Sequence, residues 1–302
     1  MQDDYNSMPE RQKHRQEVQS FLQRHFPIQD WEFSIPGGTG METYFALGSK
    51  QGYFVKVGAP LERYQVMAEI GLTPPLLACG QLESGSSIMV QPLIDGRNPS
   101  KREYQCQLEK VAALIHKMHH DERLRETLPP VPSYLHKDAG IRAWSSLRKR
   151  WEHYSAQIPN VAEFVDRSLD ELESHISHFS MAGLVSSHND ICNANWLFAE
   201  DGNIYIVDFE SMSMDDPAFD LGALLWWYYP PERRGRFLEI AGYKYDDEFK
   251  LRMHVRMALH CLNITFPRDG SFDRFNPESY NEALVDFRAI LDGGENPQGY
   301  GV

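Results

Sequence analysis

The stretch from residue 184 to residue 222 constrains the fold of this 302-residue chain most strongly. It contains the pattern H-x-D-x4-N at residues 188–195 and the triplet D-F-E at residues 208–210. Between the two, an Asp-Gly step at residues 201–202 is flanked by short apolar runs, which predicts a β-hairpin. Because a hairpin returns the chain on itself, we expect the polar residues before it to lie near those at its exit.

Three side chains in these patterns have the chemistry that phosphoryl transfer needs. A carboxylate must accept or orient the proton of an attacking hydroxyl, and Asp190 is the candidate. Mg²⁺ must be held against phosphate oxygens, and it prefers a few oxygen ligands. Asn195 and Asp208 are the candidate metal ligands. Each pattern alone occurs by chance, but their combination with D-P-x-x-D-L-G at residues 216–222 favours a catalytic segment over ordinary loop acids.

This segment resembles the catalytic segment of the aminoglycoside phosphotransferase and choline kinase superfamily, the small-molecule branch of the protein-kinase-like fold. The resemblance covers residues 30–225. It implies a bilobal α/β (α+β) fold with a small antiparallel-sheet lobe and a mostly helical lobe. The small lobe, residues 1–94, would bind nucleotide, and residues 95–302 would carry the catalytic and acceptor-binding groups. ATP, with GTP as the alternative, and Mg²⁺ are the implied cofactors.

The same resemblance implies residues that support the reacting groups. The family's acid at the position of Asp220 bonds back to the catalytic loop and braces it. The alternative is an ordinary acid in the first turn of a helix, stabilised by the helix dipole. His188 and Glu210 are expected to contact the residues that bind substrate or metal rather than to bind them directly. His188 is expected to support the structure of the loop.

A glycine loop precedes the candidate nucleotide site. Gly37, Gly38 and Gly40 lie between two predicted strands, and glycines let backbone N–H groups approach phosphates closely. No G-K-[ST] follows, so the loop is not a P-loop. A tight hairpin turn is the alternative interpretation.

Lys56 lies in the predicted strand Y-F-V-K-V, where an inward lysine needs a charged partner. The resemblance gives it the α- and β-phosphates and a glutamate of the next helix. Glu62 is the first candidate for that glutamate and Glu69 the second. The alternative is a lysine on the solvent face of the strand.

The stretch from Gln91 to Leu93 ends the predicted fifth strand, just before a hinge between lobes at residues 94–96. By the resemblance, adenine would form hydrogen bonds to the backbone around Gln91 and Leu93. Backbone contacts leave little trace in a sequence.

Three patterns lie outside this core. The histidines at 116, 119 and 120 end a predicted helix over residues 101–120, and their spacing permits a metal site. A packing histidine with exposed neighbours is favoured, because no cysteine or paired acid converges nearby. The aromatic run at residues 221–231 suits either a cation-binding box or a buried helix, and the buried helix is favoured. The polar, glycine-rich residues 293–302 predict a frayed end.

Composition excludes several classes of protein. The longest apolar run is far too short for a membrane span, and the polar start does not resemble a signal peptide. Four scattered cysteines without a C-x-x-C pair predict a reduced, cytoplasmic protein. Nothing in the sequence indicates an oligomeric state.

The net charge is −13 and is unevenly spread. Residues 181–302 carry 20 acids and 10 bases, a balance of −10. A nucleic-acid partner is therefore not expected. The acidic part could attract a cationic acceptor, but composition alone favours a solubilising surface.

The expected acceptor is a hydroxyl of a small, amine-bearing molecule, as in aminoglycoside phosphotransferases. Choline, ethanolamine, homoserine and other metabolites stay open as acceptors because the relatives share this core. A protein kinase is disfavoured, since Asn189 replaces the usual arginine and no A-P-E follows the D-F-E triplet. A nucleotide-binding protein without catalysis is the alternative of another class, and the intact set of Lys56, Asp190, Asn195 and Asp208 argues against it.

Overall fold

The protein is described by a computed structural model over residues 14–26, 30–36, 42–48, 51–266 and 280–301, which form twelve α-helices and ten short strands. The helices are α1 (Arg15–His25), α2 (Leu61–Glu69), α3 (Lys101–Cys106), α4 (Leu108–His120), α5 (Glu122–Glu126), α6 (His136–Tyr154), α7 (Pro159–Ile176), α8 (Pro217–Tyr228), α9 (Pro231–Ala241), α10 (Asp247–Asn263), α11 (Tyr280–Ala283) and α12 (Val285–Leu291). The strands are β1 (Glu32–Ser34), β2 (Thr43–Leu47), β3 (Gly52–Val57), β4 (Ala78–Gln81), β5 (Ser87–Pro92), β6 (Gly96–Arg97), β7 (Val185–Ser187), β8 (Trp196–Ala199), β9 (Ile204–Ile206) and β10 (Ser213–Asp215).

The chain divides into two compact units. Unit 1 contains Met1–Arg97 and Leu197–Glu210, and unit 2 contains Asn98–Trp196 and Ser211–Val302. We expected one boundary, at residue 94. By its contacts, however, the segment 197–210 groups with the sheet of unit 1. The division of work between a nucleotide lobe and an acceptor lobe stays a prediction.

Unit 1 is built on a five-stranded antiparallel sheet in the order β1-β2-β3-β5-β4. Helix α1 buries Val18, Phe21 and Leu22 in a common core with the sheet. Strand side chains alternate between the two faces of a sheet, so Tyr53 and Val55 of β3 join this core on one face. The residues between them project from the other face.

The predicted hairpin is present as β8 and β9, which form a second sheet of unit 1 with β6. Gly202 has a φ of 83°, a backbone conformation that glycine adopts without steric cost. The N–H of Ala199 donates to the carbonyl of Asn203 at 2.9 Å, which closes the turn. The Asp-Gly step was therefore a sufficient signal for this turn.

Unit 2 is mostly helical around α8, which buries residues on all sides. Helix α10 packs closely on it, since a Cβ built on Gly222 would lie 3.3 Å from the carbonyl oxygen of Met253. Strands β7 and β10 pair antiparallel in this unit. Among the residues that the structure describes, no helix has the length and apolar character needed to cross a bilayer.

One helix prediction and one loop prediction differ from the structure. The predicted helix over residues 101–120 is broken at Gln107, whose φ of −108° and ψ of 25° leave the helical region. The proline- and charge-rich composition of residues 121–138 predicts a long loop. The structure instead has α5 there, which begins because the side chain of Asp121 accepts a hydrogen bond from the N–H of Leu124.

The segment 294–300, predicted to be frayed, is held by hydrogen bonds within unit 2. The indole of Trp226 donates to the carbonyl of Gly294 at 3.2 Å, and the ammonium of Lys101 donates to the carbonyl of Gly299 at 2.6 Å. The prediction failed because these partners are distant in sequence and invisible to local composition.

A matched pair of glycines tests the packing of unit 2. Gly140 and Gly235 are each the fifth residue of a helix, but a Cβ on Gly140 would lie 2.9 Å from Cγ2 of Ile176, whereas no atom lies within 4 Å at Gly235. We expect Gly140→Ala to lower the free energy of unfolding by about 1–3 kcal/mol. Gly235→Ala should raise it by about 0.5–1 kcal/mol. Urea denaturation measures both, and two stabilised variants would contradict the described contact of α6 with α7.

Candidate active site

Asp190 and Asn195 lie together in the loop between β7 and β8. The amide nitrogen Nδ2 of Asn195 donates to the backbone carbonyl of Asp190 at 2.7 Å and to its carboxylate Oδ2 at 3.2 Å. Since a carbonyl oxygen can only accept, the nitrogen must face Asp190 and the amide oxygen Oδ1 must point away. Within the described residues this oxygen accepts no hydrogen bond. It is the kind of ligand that Mg²⁺ prefers, so Asn195 fits the metal role.

The loop turns sharply at Asn189, whose φ is 62°. This left-handed conformation is uncommon outside glycine and is best tolerated by asparagine and aspartate. The side-chain amide of Asn189 donates to the carbonyl of Ser211 at 3.0 Å and to Oγ of Ser213 at 2.8 Å. These bonds fix the turn from which Asp190 projects.

Asp220 holds the start of the loop. It is 1% exposed in the first turn of α8, and its carboxylate accepts the N–H of His188 at 2.7 Å and the N–H of Asn189 at 3.0 Å. The imidazole Nε2 of His119 lies 3.2 Å from the same carboxylate. Burial alone would raise the pKa of Asp220, but hydrogen bonds and charge from His119 and His188 outweigh it, so the pKa is lowered. Asp220 therefore braces the loop that presents Asp190, while a catalytic role of this loop stays a prediction.

His188 is buried, and its side chain also supports the loop. Its ring nitrogen Nδ1 accepts the N–H of Asp190 at 3.3 Å. His188 is thus bonded to the backbone of the candidate catalytic residue on one side and to Asp220 on the other.

His119 was missed as a site residue, because a packing histidine with exposed neighbours was expected at the end of α4. Its Nδ1 lies 2.8 Å from the hydroxyl of Tyr243, opposite the contact with Asp220. The rings of His116 and His120 instead both approach the carbonyl of Ala241. A signal was available in the sequence, because His119 lies on the predicted buried face of α4. A buried imidazole needs polar partners, so a hydrogen-bonding role could have been expected for it.

Lys56 is the centre of the second group of candidate residues, which lies in unit 1. It is 3% exposed and projects from β3 on the face opposite Tyr53 and Val55. Its ammonium lies 2.7 Å from Oε1 of Glu210 and 3.6 Å from Oδ1 of Asp208. Burial alone would lower the pKa of Lys56, but Tyr64 and Glu210 outweigh this effect and raise it. The lysine is therefore held as a buried cation.

Glu62 does not serve as the carboxylate partner of Lys56 in this structure. It is exposed on α2, while Tyr64, two residues further on, is buried with its hydroxyl 3.3 Å from the lysine ammonium. Residues two apart on a helix point about 200° apart, so both cannot face the lysine. The expectation failed because a lysine on a strand can find its acid anywhere in the fold, and here Glu210 supplies it.

Asp208 fits the role of a metal ligand by exposure and charge. Its side chain is 52% exposed, and its backbone has a φ of 63° at the exit of β9. Asp208 belongs to unit 1, whereas Asp190 and Asn195 belong to unit 2. That the three share one site stays a prediction.

The predicted adenine contacts are only partly available. The N–H of Leu93 already donates to the carbonyl of Gly52 at 2.9 Å, so this donor is engaged within the sheet. The side chain of Gln91 is buried and donates to Thr73 and Pro74. That other backbone groups between Gln91 and Leu93 bind adenine stays a prediction. The predicted phosphate-binding glycines at 37, 38 and 40 lie outside the described residues.

Comparison with known proteins identifies the family. Residues 34–254 match the phosphotransferase enzyme family, which is more than half of the chain. The chain belongs to the phosphotransferase enzyme family. Every candidate residue discussed above lies within the matched region of this phosphotransferase, which confirms the resemblance inferred from the catalytic segment.

Solved structures confirm the kinase-like fold of the phosphotransferase. Choline kinase LicA from Streptococcus pneumoniae is 17% identical, with a TM-score of 0.61 and alignment over 92% of this chain and 98% of LicA. Spectinomycin phosphotransferase APH(9)-Ia, in complex with ADP and spectinomycin, is 17% identical, with a TM-score of 0.56 over 90% and 93% of the two chains. The GDP and kanamycin complex of APH(2")-IIia is 10% identical, with a TM-score of 0.64 over 91% and 98%.

A pair of glutamate variants tests the environment of Lys56. We expect Glu210→Gln to lower the free energy of unfolding by about 1–3 kcal/mol, because a buried ammonium loses its nearest carboxylate. Glu62→Gln, the matched change on an exposed side chain, should alter it by less than about 0.5 kcal/mol. Chemical denaturation at neutral pH compares them. Equal effects of the two substitutions would contradict the assignment of Glu210 as the partner of Lys56.

Proposed function

We propose that this protein transfers the γ-phosphoryl group of ATP to a hydroxyl of a small molecule. The observation that carries the proposal is the arrangement of Asp190 and Asn195, in which a carboxylate and an outward amide oxygen are fixed side by side. Membership of the phosphotransferase family supports the same reaction class. GTP stays open as the donor, since structures of the same fold hold ADP, AMP or GDP.

Asp190 would orient the acceptor hydroxyl and receive its proton. In a loose phosphoryl-transfer transition state the proton leaves late, so positioning matters more than base strength. The loop geometry serves that purpose, since His188 and Asn195 bond to Asp190, and the N–H of Asn189, in the turn that presents it, donates to Asp220. Catalysis would then come chiefly from orientation and electrostatics.

Asn195 and Asp208 would hold Mg²⁺. Held there, the metal would supply positive charge that offsets the negative charge of the phosphate oxygens. Lys56 would neutralise charge on the α- and β-phosphates. Its burial beside Glu210 keeps the ammonium in place and protonated.

An amine-bearing acceptor is the finer part of the proposal. Residues 181–302 carry a charge balance of −10, which favours a cationic ligand. Choline, spectinomycin and kanamycin, named with the similar structures, all carry amino or ammonium nitrogen. Choline, ethanolamine, homoserine and other metabolites stay in the set to be tested.

The decisive experiment measures ADP release from Mg-ATP across aminoglycosides, choline, ethanolamine, homoserine, methylthioribose and a glycated amine. We expect turnover with one class of acceptor, and a loss of at least about 10³-fold in Asp190→Ala. Asp292→Ala, the same change at an exposed acid of unit 2, should retain wild-type turnover.

A thermal-shift measurement separates this reaction from nucleotide binding without catalysis. Mg-ATP should raise the melting temperature of both the wild type and Asp190→Ala, since that change removes the hydroxyl-orienting group rather than the nucleotide ligands. Phosphoryl transfer that survives in Asp190→Ala would refute the proposed mechanism. Nucleotide binding with no turnover on any acceptor would favour the non-catalytic alternative.

A further inference from the structure

The catalytic loop contains a short 3₁₀ turn over Asn193–Asn195. The turn is closed by the N–H of Asn195, which donates to the carbonyl of Cys192 at 3.0 Å. The first N–H groups of such a turn have no partner within it. The N–H of Asn193 instead donates to the hydroxyl oxygen of Tyr228, at 3.0 Å.

This capped turn contains Asn195, a candidate metal ligand, and bonds to Asp190, the candidate catalytic residue. Asn195 ends the turn, and its amide nitrogen bonds to both the carbonyl and the carboxylate of Asp190. On its other side the turn is fixed by Asn98, which donates to the carbonyls of Ala194 and Trp196 at 3.0 and 2.9 Å. A shift of the turn would therefore move Asn195 relative to Asp190.

Tyr228 is itself held by α3. Its ring stacks on the ring of Tyr104 with centroids 4.3 Å apart. As the last residue of α8, Tyr228 has a carbonyl without a helical partner. The amide nitrogen of Gln105 donates to that carbonyl at 3.1 Å and so caps the helix.

The second proton of the same amide links α3 to residues 295–300, which we call the strap. Nε2 of Gln105 also donates to the carbonyl of Tyr300, at 3.2 Å. The hydroxyl of Tyr300 is held by Arg234 at 2.7 Å and by Glu295, and Arg234 forms an ion pair with Glu295. The strap is thereby fastened to the residue that caps α8.

We propose that Tyr228 is a positioning residue for the catalytic loop, and that Gln105 couples Tyr228 to the strap. The first part rests on the proposed phosphoryl transfer, because it predicts an effect on turnover. The hydroxyl of Tyr228 would hold the turn on the side opposite Asn98 and so help to set the spacing of Asn195 and Asp190. The strap would limit the movement of that hydroxyl. Small displacements of reacting groups are costly, with about 1 Å worth up to about 100-fold in rate.

Adjacent tyrosines provide a matched test. Tyr228→Phe removes the acceptor of the Asn193 N–H, whereas Tyr229→Phe removes a buried hydroxyl that donates to the carbonyl of Tyr104 at 2.9 Å. We expect Tyr228→Phe to lower kcat about tenfold with KM for ATP within about twofold. Tyr229→Phe should keep kcat within about twofold while lowering the melting temperature by about 2–5 °C.

Hydrogen exchange supplies a readout that needs no turnover. The amide of Asn193 should exchange at least about tenfold faster in Tyr228→Phe and at the wild-type rate in Tyr229→Phe. Unchanged exchange, or an unchanged kcat in Tyr228→Phe, would overturn the positioning role. A wild type that neither transfers phosphate nor hydrolyses ATP would refute the proposed function, and exchange would still decide whether Tyr228 holds the loop.

The link to the strap is tested by Gln105→Ala, with Gln107→Ala, at the residue that follows α3, as the control. Gln105→Ala should speed exchange at Asn193 and lower kcat about threefold, because Tyr228 loses its cap. If Gln105→Ala and Gln107→Ala behave alike in both measurements, the coupling to the strap is wrong.

Discussion

The buried carboxylate of Asp220 is the constraint on which the candidate catalytic loop, residues 188–195, depends. A carboxylate removed from water is costly unless its oxygens are bonded. Asp220 receives two successive loop N–H groups, those of His188 and Asn189, together with the imidazole of His119. The loop must therefore turn within one residue of His188, and Asn189 adopts a left-handed backbone to do so. The direction of Asp190 follows from that turn.

A buried charge that needs bonded partners also determines how the candidate residues of unit 1 are arranged. Alternation along β3 places Tyr53, Val55 and Val57 in the core under α1 and leaves Lys56 on the opposite face. A buried ammonium there needs anionic neighbours, and Glu210 and Asp208 provide them. In each unit, then, a buried charge fixes the position of a residue that the proposed reaction uses.

Much of this could be predicted from sequence where the signal is local. The Asp-Gly step specified the hairpin, and the spacing of H-x-D-x4-N placed Asp190 and Asn195 in one loop. The residues that failed prediction have distant partners. Glu62 was chosen because the resemblance places the partner of Lys56 on the next helix, and Glu62 lies early in it. The acid that pairs with Lys56 is instead Glu210, 154 positions after the lysine. His119 and the strap were misjudged for the same reason, since their bonds reach α8, Tyr243 and α3.

The unfolding free energy of the wild type and Asp220→Asn, measured between pH 3 and pH 7, tests the central claim. The lowered pKa of Asp220 means that its contribution is complete above the ordinary value of 3.8 and is lost as the pH falls through the folded-state pKa. We expect Asp220→Asn to be less stable by about 2–4 kcal/mol at pH 7, because one loop N–H or His119 loses its acceptor. The difference should shrink below about pH 4. Equal stability at pH 7, or a difference that does not vary with pH, would contradict the view that one ionised, buried carboxylate holds the loop.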